Sequence, residues 1–505
     1  MAAVSIPMDE AGRRASPRPG YELLAARVVA FVRWVAWLTI FLSLLSGVFS
    51  RDFVVPLCGV GSGLLSLTAL SYQRDILRLL LVAHPTLSYM FFTLAYGFFN
   101  GNPALNGLLN PGRAFTITLA YQFAILAADL FVTLLIGRNA AARAAEVDEA
   151  RPLAMRAGWV LILVLVVFAS ARLTFLTAHT PVLVGLIVAT VAWTVQARNG
   201  KNVASLAVMT LGAFFLISSI TNGRTILLVM LLAWVLLLLA YAPRVLTFRN
   251  VVLGILCVGI LNWVTYSFLE ARKVRTETGE VFEKTLDIAF SEEGFLHLLL
   301  IPTGEQPNYD IVGSAYHSDF IRTSVWGPVD DSALSGRLAL IAHMDIVTGR
   351  LPEPQEVDWD VVAGTIGSVL PNFGDKQELL YSDELVWGLS LRPRQSVGRP
   401  LVTAAGELYA IGGFQFILCA GFLMYAGIIL LLSLMRRLTS NMLVYVVTGV
   451  AILGYVTLTG TFLGLMSTSF RMLPEFLLLL AFLGSFVKTE PNNSGSEFAV
   501  KGLTN

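Results

Sequence analysis

Arg224 opens an apolar run, "TNGRTILLVMLLAWVLLLLAYAPR" (221–244), whose only cations stand near its two ends. A guanidinium stays charged at any biological pH and offers a planar fork that fits phosphate oxygens. An ionisable group at a membrane edge is a functional candidate, and the ligand that belongs at that depth is a lipid-linked phosphate or pyrophosphate. The alternative is an arginine that only snorkels to lipid headgroups. Arg172 in "ASARLTFL", Arg471 in "SFRMLPEF" and Glu407 in "AAGELYAIGGF" are expected at the same depth. Glu475 follows Arg471 at the (i, i+4) spacing of a helical ion pair. Glu407 either serves as an acid/base group or favours its helix dipole, which is worth about 0.3–1 kcal/mol to a first-turn carboxylate. Brought together, such cations and a carboxylate make a phosphate-binding, acid/base site.

These residues need a membrane scaffold to hold them. The chain has 505 residues, 56% hydrophobic and 14% charged, with mean hydropathy +0.71. A soluble domain is about a quarter charged. The apolar runs have bilayer length, and we read an all-α polytopic membrane protein of about 12 transmembrane helices. The spans are expected at 28–49, 53–72, 76–99, 115–136, 157–177, 181–197, 203–221, 224–242, 251–269, 408–434, 443–464 and 470–487. Residues 1–27 and 488–505 read as disordered tails. Membrane segments 28–269 and 407–487 flank one large loop, 270–406. No cleavable signal pattern precedes the first run, which is expected to be retained.

Arginine and lysine collect on alternate short connections, for example Arg74 and Arg78, Arg138 and Arg143, Arg244 and Arg249, and Arg436 and Arg437. That side is expected to be cytoplasmic, with both termini there. The large loop then lies outside, and it carries 21 Asp+Glu against 11 Lys+Arg. Loops of this length are usually functional. Within it, "FSEEGFLHLLL" (290–300) and "SGRLALIAHMDIVTG" (335–349) read as amphipathic helices that lie on the membrane or cap a cavity. Its aromatics, among them Tyr316, Trp359, Tyr381 and Trp387, either stack on sugars or pack. Asp358 and Asp360 in "VDWDVV" have a spacing that can hold a divalent cation, a pattern that is also common by chance. Asp129, midway along the fourth span, is expected to face the interior and bond Gln122 or a hydroxyl, whereas a proton-relay role would suit a transporter. Cys58, Cys257 and Cys419 lie in apolar runs, so neither a disulfide framework nor a metal site is expected. No Walker loop, dinucleotide fingerprint or nucleic-acid patch is present.

The run that starts at Thr221 resembles the small-Gly-Arg opening of a span in Wzy-type O-antigen and exopolysaccharide polymerases and the related O-antigen ligases. "LPNFGDKQ" (370–377) looks like their loop segment in which a proline-bearing turn precedes a lysine, here Lys376. "AAGELYAIGGFQFILCAGFLMYAGI" (404–428) is similar to their Gly-Glu-x-Tyr opening of the span after the large loop. The family commonly continues Asn-Phe-Gly where this chain has Ala410-Ile411-Gly412. The loop histidines His297, His317 and His343 lack a ligase motif, which counts against a ligase.

The resemblance implies a metal-independent, cofactor-free, inverting glycosyltransferase of the bacterial inner membrane with a periplasmic loop. Its donor is a glycan on polyprenyl pyrophosphate and its acceptor a repeat unit on the same lipid. A chain-length regulator or export complex is a further expected partner, and nucleic acid is not. In that scheme Arg224, with Arg172, stabilises the leaving pyrophosphate. Glu407, with His317 behind it, takes the acceptor's proton. Arg337, Arg471, Lys376 and Tyr409 bind substrate. The competing readings are a ligase, a flippase or transporter of lipid-linked glycan, and a scaffold of a glycan-assembly complex. A flippase is expected to show short loops on both sides, paired halves and charges deep within several helices.

Overall fold

A hydrocarbon environment offers backbone groups no partner but one another, so apolar runs of bilayer length fold as helices. The computed structural model describes residues 20–50, 52–136, 179–198, 224–241, 339–351, 359–369, 381–390, 402–439, 442–457 and 461–478, with scattered positions between 210 and 353. Every regular element among them is helical. In chain order they are α1 (Tyr21–Ser50), α2 (Val54–Tyr72), α3 (Ile76–His84), a π-helical turn (Pro85–Phe91), α4 (Phe92–Phe99), α5 (Pro111–Ile136), α6 (His179–Arg198) and α7 (Arg224–Tyr241). There follow α8 (Leu340–Thr348), α9 (Trp359–Val369), α10 (Tyr381–Gly388), α11 (Ala404–Leu438), α12 (Met442–Thr457), α13 (Phe462–Ser467) and a second π turn (Thr468–Met472).

Five of the described helices are long and apolar enough to cross a membrane: α1, α2, the continuous α3–α4 segment, α5 and α11. They stand at the expected first four and tenth spans. Helices α6, α7 and α12 stand at the expected sixth, eighth and eleventh. The expected span at 157–177, all but isolated positions of those at 203–221 and 251–269, and the tail 488–505 lie outside the described residues, whereas residues 21–27, expected to belong to a disordered tail, form the first turns of α1.

The membrane character is visible in how α1 divides its faces. Its buried face carries Ala36, Thr39, Ser43 and Ser46, while Phe31, Trp34, Trp37, Phe41, Leu44 and Val48 form an exposed stripe. Small residues inside and large apolar ones outside is the pattern of a helix solvated by lipid. On α2, Gly59 and Gly63 let the α1 backbone approach. A methyl group on Gly63 would meet Ile40 Cγ1 at 2.5 Å and the Ala36 carbonyl at 2.9 Å.

Hydrogen bonds fix the two ends of the bundle. At one end Gly20 N donates to Ala240 O at 2.8 Å, and Arg436 and Tyr445 each donate to Asp75 Oδ2 at 2.9 Å. At the other end Ser46 Oγ donates to Pro103 O at 2.8 Å. There α8, part of the large loop, joins α5 in a reciprocal clamp. Asp345 of α8 accepts the amides of Leu109 and of Asn110 (2.8 Å) just ahead of α5. Arg113 of α5 in turn donates to the carbonyls of Thr348 (3.0 Å) and Leu351 at the far end of α8. Each side chain thus satisfies backbone groups that a helix terminus leaves without intrahelical partners. Burial pushes the Asp345 carboxyl up from its ordinary value, against the opposing pull of the two amides and Arg113.

Two features differ from the sequence reading. All nine residues of α8 are buried, so this part of the loop is a core helix enclosed on every face and not an amphipathic one. Helix α11 is also not a straight span. At Gly412–Gly413 the backbone leaves helical values, and Gly413 (φ 66°, ψ −158°) adopts a conformation open only to glycine. A methyl group on Gly421 would lie 3.9 Å from Leu408 Cδ1, although these positions would stand about 20 Å apart along a straight helix. Residues 404–411 therefore fold back against 414–438. This half-helix is buried throughout, whereas beyond Gly413 the buried positions Ile417, Gly421, Tyr425, Ile429 and Leu432 mark one face only.

Candidate functional site

The central helix of the bundle is α3–α4, with 72% of its apolar window buried against 39–44% for the other long helices. Pro85 interrupts it. Proline has no N–H to give the carbonyl of Leu81, one turn back. The His84 ring fills that place, with Nδ1 2.9 Å from Leu81 O. A carbonyl only accepts, so Nδ1 carries the proton, and in the neutral ring Nε2 presents a lone pair. His84 is buried, and Nε2 has no hydrogen-bond partner. The π turn that follows re-aims the next residues, and such turns concentrate at functional sites.

Tyr89, within that turn, is fully buried. Its hydroxyl faces the Thr403 hydroxyl and the Ala405 amide but makes no well-formed bond. Thr403 and Ala405 belong to the inner end of the re-entrant half-helix, where Thr403 Oγ1 caps by accepting the Gly406 amide at 3.2 Å. Tyr121 of α5 completes the wall. Its ring lies 6.0 Å from His84 and 6.2 Å from Tyr89, and its hydroxyl bonds that of Tyr425.

Glu407 sits one turn along the half-helix, enclosed inside the bundle and not at the mouth of a straight span. Its carboxyl lies within electrostatic range of Tyr89, Tyr121 and Tyr381. One oxygen, Oε2, accepts the Phe462 amide at the start of α13. A buried carboxylate needs such partners. Tyr381 of α10 approaches from the loop, and its buried hydroxyl has no partner. Burial first, then the Glu407 and Glu384 charges, push its phenol up. Met344 of α8 packs against Gly406 and closes the same side.

Of the sequence candidates, Glu407 and the loop aromatic Tyr381 belong to this cluster with their side chains described. Tyr409 packs edge-to-face on Phe414 across the glycine turn, with centroids 5.3 Å apart. Arg471 is half-buried in the second π turn. Its expected ion pair with Glu475 is not among those of the described residues, which are Arg78–Asp129 and Arg436–Asp75. Arg224 begins α7. The last turn of that helix is pinned to α1 at the opposite end, so Arg224, about 23 Å away along the helix, falls toward the loop side. The Arg224 side chain, and Arg172, His317, Arg337 and Lys376, lie outside the described residues.

Asp129 accepts from a hydroxyl as expected, that of Tyr72, and pairs with Arg78, but it does not bond Gln122. Arg78 Nε reaches Asp129 Oδ1 at 2.6 Å, and Tyr72 and Gln73 each donate to Oδ2 at 2.8 Å. Gln122 instead donates to Thr86 (2.8 Å) and Ser66 (3.1 Å) and accepts from Ser62. His84, Tyr89, Tyr121, Thr403 and Tyr425 escaped the sequence reading. The readable signal was a histidine followed by proline inside an apolar run. No family model matches the chain, and no curated protein or solved structure matches it.

Proposed function

We propose that the protein is a membrane glycosyltransferase that polymerises lipid-linked repeat units, working where the large loop docks on the bundle. The observation that carries this reading is Glu407, a carboxylate held inside the bundle by a re-entrant half-helix, within electrostatic range of Tyr89, Tyr121 and Tyr381 and roofed by loop helices. The acceptor's sugar hydroxyl attacks the donor's anomeric carbon and forms the new C–O bond. The bond to the lipid pyrophosphate breaks, and its electron pair leaves with the phosphate oxygen. Glu407, through the oxygen not engaged with Phe462, takes the hydroxyl proton. Arg224, opening a helix on the same side, offsets the charge that grows on the pyrophosphate. A preorganised group of that kind is worth about 10²–10³ in rate.

The ion pairs described within the bundle lie apart from Glu407. Arg78–Asp129 and Arg436–Asp75 are closed pairs with tyrosine partners, gathered at the end away from the loop. The test is purified protein in liposomes with lipid-linked repeat unit, product length being read on a gel. A ladder in the wild type, lost in folded Arg224→Lys and Glu407→Gln, is expected. No ladder from an authentic substrate overturns the polymerase. A ladder indifferent to both substitutions overturns the assigned roles.

A further inference from the structure

The inner end of the half-helix gathers more polar groups than the proposed chemistry uses. Tyr89 Oη, His84 Nε2 and Tyr381 Oη are buried without partners. His84 stands beside Tyr89 with ring centroids 6.1 Å apart, and Glu407 lies within electrostatic range of Tyr89 and Tyr381. A buried polar atom left unpaired is costly and calls for an explanation. Structural roles account for the neighbours: Thr403 caps a helix, Tyr121 and Tyr425 satisfy each other, and Glu407 holds α13. His84 Nδ1 serves the Leu81 carbonyl, and no such role accounts for His84 Nε2 or the Tyr89 hydroxyl.

We propose that this inner end is a binding site for an uncharged, hydroxyl-bearing group, a sugar of the lipid-linked glycan, held by Tyr89 and His84. The mixture of hydrogen-bonding roles selects the ligand class. Tyr89 O–H and the facing Ala405 N–H donate, while His84 Nε2 and Glu407 accept. A sugar hydroxyl donates and accepts at once and satisfies both kinds. An anion would find no cation among the described residues of the site. That the sugar comes on a lipid rests on the polymerase reading, whereas the site itself does not.

The probe is octyl β-glucoside, added below its micellar concentration to the full chain in nanodiscs, with octanol and octyl phosphate as controls. Thermal unfolding is followed against probe concentration. A saturable rise in melting temperature is expected for the glucoside alone. Tyr89→Phe and His84→Gln should each weaken half-saturation about ten-fold, the loss of one hydrogen bond. Leu134→Ala, on the lipid-facing surface, should bind as wild type. Equal shifts with glucoside and octanol mean partition into the bilayer and overturn the proposal. So does tighter binding of octyl phosphate, or wild-type binding by both site variants. A chain that binds glucoside but builds no ladder loses the polymerase reading only. One that builds a ladder and ignores glucoside loses the sugar site only.

Discussion

The same chemical change, tyrosine to phenylalanine, should have opposite effects at two positions in this cluster. At Tyr89 the hydroxyl is buried and makes no well-formed bond. Leaving such a group unsatisfied costs about 1–3 kcal/mol, and the ring packs identically without it. Tyr89→Phe should therefore be neutral or stabilising by up to about 1 kcal/mol, since relaxation recovers part of that cost. At Tyr425 the hydroxyl bonds Tyr121. Tyr425→Phe strands the Tyr121 hydroxyl and should destabilise by about 1–3 kcal/mol. Removing both hydroxyls leaves no orphan, so Tyr121→Phe with Tyr425→Phe should return toward wild type. The pair then shows a coupling energy of about 0.5–3 kcal/mol in a double-mutant cycle. Reversible unfolding in mixed micelles, followed by tryptophan fluorescence, measures wild type, Tyr89→Phe, Tyr121→Phe, Tyr425→Phe and the double variant. A Tyr89→Phe loss as large as that of Tyr425→Phe would refute the claim that Tyr89 is kept for something other than stability. A stabilised Tyr89→Phe that has also lost glucoside binding is the signature of a group retained at the expense of the fold.

Gly413→Ala places a side chain at φ 66°, ψ −158° and should cost about 1–3 kcal/mol by the same unfolding measurement. Asp129→Leu alone leaves Arg78 buried without its partner and should cost about 3–5 kcal/mol, and adding Arg78→Met should recover most of that loss. The clamp at Asp345 should weaken with rising pH. Its carboxyl is held above its ordinary value, so the stability it contributes is fully present below its unfolded value and is lost as pH rises through its folded one. Hydrogen exchange at the Leu109 and Asn110 amides reads this, and Asp345→Asn should flatten the dependence.

Hydropathy made the helices legible, and the first four spans stand close to where the apolar runs place them. It could not reveal the hairpin in α11, because "AIGGF" is apolar throughout and a glycine pair changes the path of a chain without changing its hydropathy. The signal there was the double glycine. Asp129 was legible as a buried, paired group, but its partner was hidden because Arg78 had been counted as a loop cation. The helix starts at Ile76 under the Asp75 cap, which draws Arg78 inside. Helix α8 was misread because His343 and Asp345 looked like a polar face. Asp345 is buried against the backbone ahead of α5, a contact more than two hundred residues away that no local period records. The site was legible only at Glu407 and Tyr381, since its other members come from α3, the π turn, α5 and more distant turns of α11.

The glycine hairpin also bears on how the protein is made. Residues 404–411 are too short to cross a bilayer, while 414–438 are long enough to cross alone. During synthesis the longer segment can settle in the membrane at once. The half-helix ahead of it must be drawn in afterwards, when α5 and the α3–α4 segment offer it a surface. Its burial, and with it the assembly of the pocket around Glu407, is then a late maturation event. Chains truncated after Leu438 lack Phe462, the amide that Glu407 holds, and should leave residues 404–411 more open to proteases than in the full chain.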